Sequence, residues 1–133
     1  MARAKGDFVV TLTPQSMDEV TGASTLARLA IDKQFTGDLI GVSKGEMLSA
    51  GTPVKGSAGY VAIERVSGAL HGRTGTFVLQ HNGSMNRGSP ELTVTVVPDS
   101  GSGELTGLTG TMTIIIEGKR HSYEFDYALG MNV

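Results

Sequence analysis

Cysteine is absent from the 133 residues, which excludes disulfide staples, thiolate catalysis and cysteine-ligated zinc. That absence fits a reducing compartment, and a cytoplasmic location is expected. No stretch approaches the roughly 18 apolar residues of a membrane-spanning helix. The segment Met1–Asp7 carries positive charge with no apolar run behind it, so no secretion signal is read. Charge of one sign is also scarce: 11 basic and 13 acidic residues leave a net −2. The two signs are interspersed, and no basic face of the kind that phosphates demand is built. Neither nucleic acid nor a membrane is therefore expected as a partner. The 3 histidines fall on separate segments, with no H-x-H or H-E-x-x-H spacing, so no metal site is expected. Gly101-Ser102-Gly103 is followed by no lysine-bearing helix and is not a phosphate cradle. No G-x-S-x-G elbow marks a serine hydrolase. No cofactor is expected.

Glycine is abundant instead. The 19 glycines are about twice ordinary usage. They are spread among Thr, Val, Leu and Ser, the pattern of short strands joined by tight turns. Phe8, Val10 and Leu12 share one face of a strand over Gly6–Thr13, which Pro14 is expected to end. Gln15–Gly22 reads as a loop. Ser24–Phe35 carries both helical and alternating spacing, with Leu29, Ile31, Lys33 and Phe35 alternating. The strand reading is preferred because Thr36-Gly37-Asp38 leads into another extended run over Leu39–Ala50. Gly59–Leu70 and Thr74–Asn82 form the clearest hairpin, with Gly72-Arg73 as a two-residue turn. Gly83–Ser89 is expected to be a loop and Glu91–Val97 a strand. Pro98–Gly103 is a turn cluster. Leu105–Ile116 and His121–Leu129 complete the chain, with Glu117-Gly118 as a tight turn between them.

The length suits one domain over 1–133. About eight strands in series, with short connections and no helix, favour antiparallel pairing, and closing the sheet removes its exposed edges. The expected fold is all-β: a single closed antiparallel barrel, calycin-like in form, with a β-sandwich as the alternative. An eight-stranded barrel is wide enough to be filled by side chains or to hold one small ligand.

The segment Gly101–Ile114 (GSGELTGLTGTMTI) resembles the glycine signature of allene oxide cyclase-like and dirigent-like barrels. The run Gly68–Gly83 (GALHGRTGTFVLQHNG) resembles the central hairpin of a small bacterial relative, domain-of-unknown-function family 3224. The likeness extends from Phe8 to the C-terminus. It implies a closed barrel with a partly apolar interior that binds, or acts on, a hydrophobic small molecule. No cyclase active site maps onto this chain residue by residue, so the fold does not carry the chemistry with it.

The sharpest candidate for chemistry is Glu64 with His81. The assumed turn sets them directly opposite across one ladder, with Cβ atoms roughly 5 Å apart, and sets Ala62 opposite Gly83. A carboxylate beside imidazole fixes one tautomer and suits general acid/base work or the grip on a polar ligand head. The competing reading is a satisfied structural pair. Phe77 and Leu79 share the face of His81, while Val66 and Leu70 share that of Glu64, which favours an inward position. Gln80 and Asn82 point the other way. Arg87 lies in a loop and His71 at a turn, both expected in solvent. The second expected turn sets Ile114 opposite His121 and Met112 opposite Tyr123. Met112, Ile114, Tyr123, Phe125 and Tyr127 then form an apolar inner wall, and Met112, Tyr123, Phe125 and Tyr127, with Phe77, Leu79 and His121, are the candidate ligand-binding residues. Three functions remain open: a barrel that binds an apolar or amphipathic small molecule, a cofactor-independent cyclase or isomerase acting on one, and a non-catalytic homo-oligomeric module.

Overall fold

Alternation with a period of two is what shapes this chain: side chains at every second position must leave water together, and a closed sheet gives all of them one interior. The computed structural model describes residues 1–16 and 25–130. Eight strands follow in order: β1 (Ala2–Gln15), β2 (Thr25–Gly37), β3 (Leu39–Gly51), β4 (Ala58–Leu70), β5 (Arg73–Asn86), β6 (Ser89–Val96), β7 (Leu108–Glu117) and β8 (Arg120–Leu129). Each pairs antiparallel with the next and β8 returns to β1, so the barrel is closed and the sandwich alternative falls away. A 3₁₀ turn, Gly103–Leu105, precedes β7. Among the described residues no helix is long and apolar enough to cross a membrane.

The interior divides into two halves. In one, Phe35, Leu39, Val66, Leu70, Phe77, Leu79, Leu105, Leu108, Met112, Tyr123, Phe125 and Tyr127 are buried in a continuous apolar core. Phe77 stacks on Phe125, with ring centroids 5.8 Å apart. Leu105 reaches this core from the 3₁₀ turn and not from a strand, as the sequence reading had it. The reason is that β6 pairs with β5 only between Leu79 and Asn86. The rest of that edge of β5 is covered by the segment leading to the turn. Ser100 and Ser102 accept from the amides of Val78 and Thr76 (3.0 and 3.1 Å), and Glu104 accepts from Thr74 N–H (3.0 Å). The other half of the interior is hollow.

Three local expectations are corrected. Pro14 does not end β1; it lies within the strand, opposite Leu29. Beyond Phe8, β1 pairs with β2 alone, because its register with β8 stops at Phe8–His121. On such an edge a missing N–H costs nothing. Gly83–Ser89 is not a loop: β5 continues to Asn86 and turns tightly through Arg87 and Gly88, whose φ of 49° and 91° match a type I′ hairpin. The expected loop over Gln15–Gly22 is a strand at Gln15, and residues 17–22 lie outside the described residues.

A further correction is of register. The β4–β5 turn is His71-Gly72, with φ of 46° and 80°, and Leu70 pairs with Arg73. Both central positions of a type I′ turn need positive φ, which Gly72 supplies without strain and Arg73 would not. Ala62, not Glu64, therefore faces His81, and Glu64 faces Leu79. The β7–β8 turn is displaced by one residue in the opposite sense, to Gly118-Lys119, so His121 faces Ile116 and Tyr123 faces Ile114. Each slip moves the partner by two residues. A two-residue slip preserves the face on which every side chain lies.

Candidate functional site

Because the faces are preserved, Glu64 and His81 meet inside the barrel as diagonal neighbours. His81 Nε2 lies 2.6 Å from Glu64 Oε2. The same oxygen accepts from Lys33 Nζ at 2.8 Å, and Oε1 accepts from Ser43 Oγ at 2.8 Å. Glu64 is 0% exposed, Ser43 1%, His81 4% and Lys33 7%. The group spans four neighbouring strands. Lys33 on β2 pairs with Ser43 on β3, and Gly45, facing Glu64 across the β3–β4 ladder, puts no side chain in the way.

A bare carboxylate in this setting would be very costly. Burial pushes the Glu64 carboxyl up. The hydrogen bond from His81 and the charge and hydrogen bond of Lys33 outweigh that push and hold it down at about 2. Glu64 is thus ionised, and it needs a proton on His81 Nε2. Nδ1 is then the nitrogen that carries the lone pair in the neutral ring, and it lies 3.3 Å from the Tyr60 hydroxyl, which donates to it. Burial, and then the Glu64 charge, push the Tyr60 phenol above its ordinary value, which keeps it a donor. The Tyr60 ring occupies the space that a side chain at Gly83 would fill. A Cβ there would lie 2.4 Å from Tyr60 Cε1, so glycine is what admits the tyrosine.

Above this group the barrel opens into a cavity of about 520 Å³. Lys33, Tyr60, Ala62 and His81 form its floor with Phe8 and Ile31, while Leu12, Met47, Met85, Leu92, Ile114 and Ile116 form the wall and rim. The floor residues are buried or half-buried and several rim residues are exposed, so the cavity is a cup open to solvent. Its wall is largely apolar, with Lys33, Tyr60 and His81 at the bottom and Ser49, Ser84, Glu91 and His121 also in the lining.

Of the candidate residues read from sequence, Glu64 and His81 are joined as described. His121 lines the cup, with its ring 5.4 Å from that of Phe8. Phe77, Leu79, Met112, Tyr123, Phe125 and Tyr127 are in the solid half of the core and do not line the cavity. The tyrosine hydroxyls there have protein partners. Tyr123 accepts from Leu39 N–H and donates to the Thr36 carbonyl, both at 2.9 Å, and Tyr127 bonds His71 at the β4–β5 turn. His71 and Arg87 are exposed turn residues.

Lys33, Ser43 and Tyr60 were missed as site residues. Lys33 had a signal: a lysine alternating with Ile31 and Phe35 on an inward face requires a counter-charge. Tyr60 had a weaker one, since it shares the face of Ala62 and Glu64. Ser43 had none, because only the β3–β4 register brings it to Glu64. Among the described residues no cluster of three or more His, Asp or Glu side chains is placed to hold a metal ion.

Residues 4–127 match the profile of the family described as "Protein of unknown function (DUF3224)". The chain is also similar to a protein of unknown function from the same family in Shewanella oneidensis MR-1, whose crystal structure is known. Identity is 53% over 99% of each chain, with a TM-score of 0.95. No curated protein matches the chain.

Proposed function

The chain belongs to the DUF3224 family, and from that premise we propose that its barrel binds an apolar or amphipathic small molecule in the cup, polar end down. One observation carries this reading: a largely apolar-walled cavity of about 520 Å³ has Lys33, Tyr60 and His81 converging on its floor. An apolar hollow with a few convergent polar groups is the usual form of a small-molecule site. The likeness of the glycine-rich segment to allene oxide cyclase-like barrels adds support. Native mass spectrometry of the protein after incubation with a bacterial metabolite extract tests the reading. The wild type is expected to retain a small-molecule mass that Ala62→Phe, which fills the floor, loses. A wild type that retains nothing, or an Ala62→Phe variant that retains the same mass, overturns it.

A second reading is assembly with further copies of the chain. Leu48, Val61 and Ile63 are exposed together on the outer face of β3 and β4, and an exposed apolar patch favours contact between proteins. Sedimentation equilibrium decides it: a monomer at micromolar concentration removes this reading and leaves the first untouched.

A further inference from the structure

The polar floor holds more than a grip on a ligand requires. Glu64 Oε2 receives both Lys33 Nζ and His81 Nε2, so the cation and the imidazole are set side by side. The imidazole is oriented by a buried carboxylate on one nitrogen and receives a phenol on the other. This is the logic of an oriented acid/base relay: a carboxylate fixes the tautomer, and the free nitrogen can accept the proton of a hydroxyl. The relay ends at Tyr60 Oη, on the cavity floor. Lys33 Nζ has three N–H donors, and among the described residues its hydrogen bond is to Glu64. It otherwise lies over the ring of Phe8, 4.8 Å from the centroid. Donors therefore remain for an acceptor in the cup. A purely structural role needs Glu64 satisfied. It does not need the hydrogen-bonded path to emerge in the cavity beside a cation.

We propose that this floor is a proton-transfer site for a small amphipathic carbonyl compound, an inference that rests on the binding reading above. The carbonyl oxygen takes an N–H of Lys33, and the alkyl part lies along the apolar wall. The C–H bond next to the carbonyl breaks, and its proton goes to Tyr60 Oη as the phenol proton passes to His81 Nδ1. The electron pair of that C–H bond moves into the new carbon–carbon double bond, and the carbonyl π pair moves onto oxygen. The resulting enolate sits against the Lys33 ammonium, which stabilises charge that develops only in the reaction. Return of a proton along the same path regenerates the ketone, or its isomer where the double bonds allow one. The step balances without any oxidant or reductant.

The test uses the full chain in D₂O with methyl pentyl, methyl heptyl and methyl nonyl ketones. Proton NMR follows loss of the signals next to the carbonyl, and saturation transfer to the terminal methyl reports binding in the same tube. Exchange is expected above the rate in buffer, with Tyr60→Phe, whose lost hydroxyl bonds His81 alone among the described residues, slowing it about 100-fold while saturation transfer persists. Lys33→Met and His81→Gln are expected to slow it too. Saturation transfer without exchange above buffer overturns the proton-transfer proposal and leaves ligand binding standing. Absence of both for all three ketones overturns the proposal and counts against the binding reading as well. Wild-type exchange in Tyr60→Phe overturns the relay.

Discussion

Replacing Glu64 by Gln removes one charge and almost no volume from the most buried polar group in the barrel. Lys33 is left as an ammonium whose side chain is 6% exposed, with no carboxylate beside it. Breaking a buried pair in this way costs about 3–5 kcal/mol, most of it the penalty on the surviving charge. A domain of this size has about 5–15 kcal/mol in all, so the loss is a large fraction of its stability. It corresponds to a fall in Tm of about 10–20 °C. The companion variant is Lys33→Met, which keeps an unbranched apolar stem against Phe8 and Phe35. It leaves Glu64 with His81 and Ser43 alone. The double variant, Lys33→Met with Glu64→Gln, has no buried charge, and the glutamine carbonyl can still accept from His81. It is therefore expected to be more stable than either single variant, although it carries both changes. The chain has no tryptophan, so urea unfolding followed by far-ultraviolet circular dichroism is the suitable assay. Additive losses, with the double variant less stable than each single one, would refute the reasoning: Lys33 and Glu64 would not then be energetically coupled.

Acid should act through the same group. The Glu64 carboxyl sits near 2 in the folded chain against an ordinary value of 4.5. Its contribution is complete above about pH 4.5, declines as the pH falls, and is gone once the pH has passed through the folded value. The linkage is worth about 3 kcal/mol. The urea midpoint is expected to fall over that window in the wild type and to fall less in Glu64→Gln; parallel profiles would contradict the assignment. Tyr123→Phe leaves the buried Leu39 amide without its acceptor and the Thr36 carbonyl without its donor. That change is expected to cost about 1–3 kcal/mol, read in the same urea experiment, and an unchanged midpoint would show that water or a backbone shift repairs the loss.

Much of the barrel could be read from the chain. Alternation set the inward faces: Phe77, Leu79 and His81 on one strand, Glu64 and Val66 on another, and Tyr123, Phe125 and Tyr127 on the last are all buried. Where the reading slipped, at both tight turns, the slip was by two residues. Side-chain direction has a period of two, so the face survived while the partner did not. That is why Glu64 and His81 were correctly placed on one inward face although their direct opposition was wrong.

Local pattern fixed which residues turn inward, because a strand's alternation is a property of its own few residues. Three-dimensional closure decided the rest. Lys33 and Glu64 are 31 positions apart, and only the registers of β2 with β3 and β3 with β4 bring them onto one carboxylate oxygen. Whether an inward aromatic lines a cup or fills a core depends on its height along the barrel, which no strand sets alone. Tyr60 took its place at the cup floor because Gly83, on the next strand, leaves room for its ring.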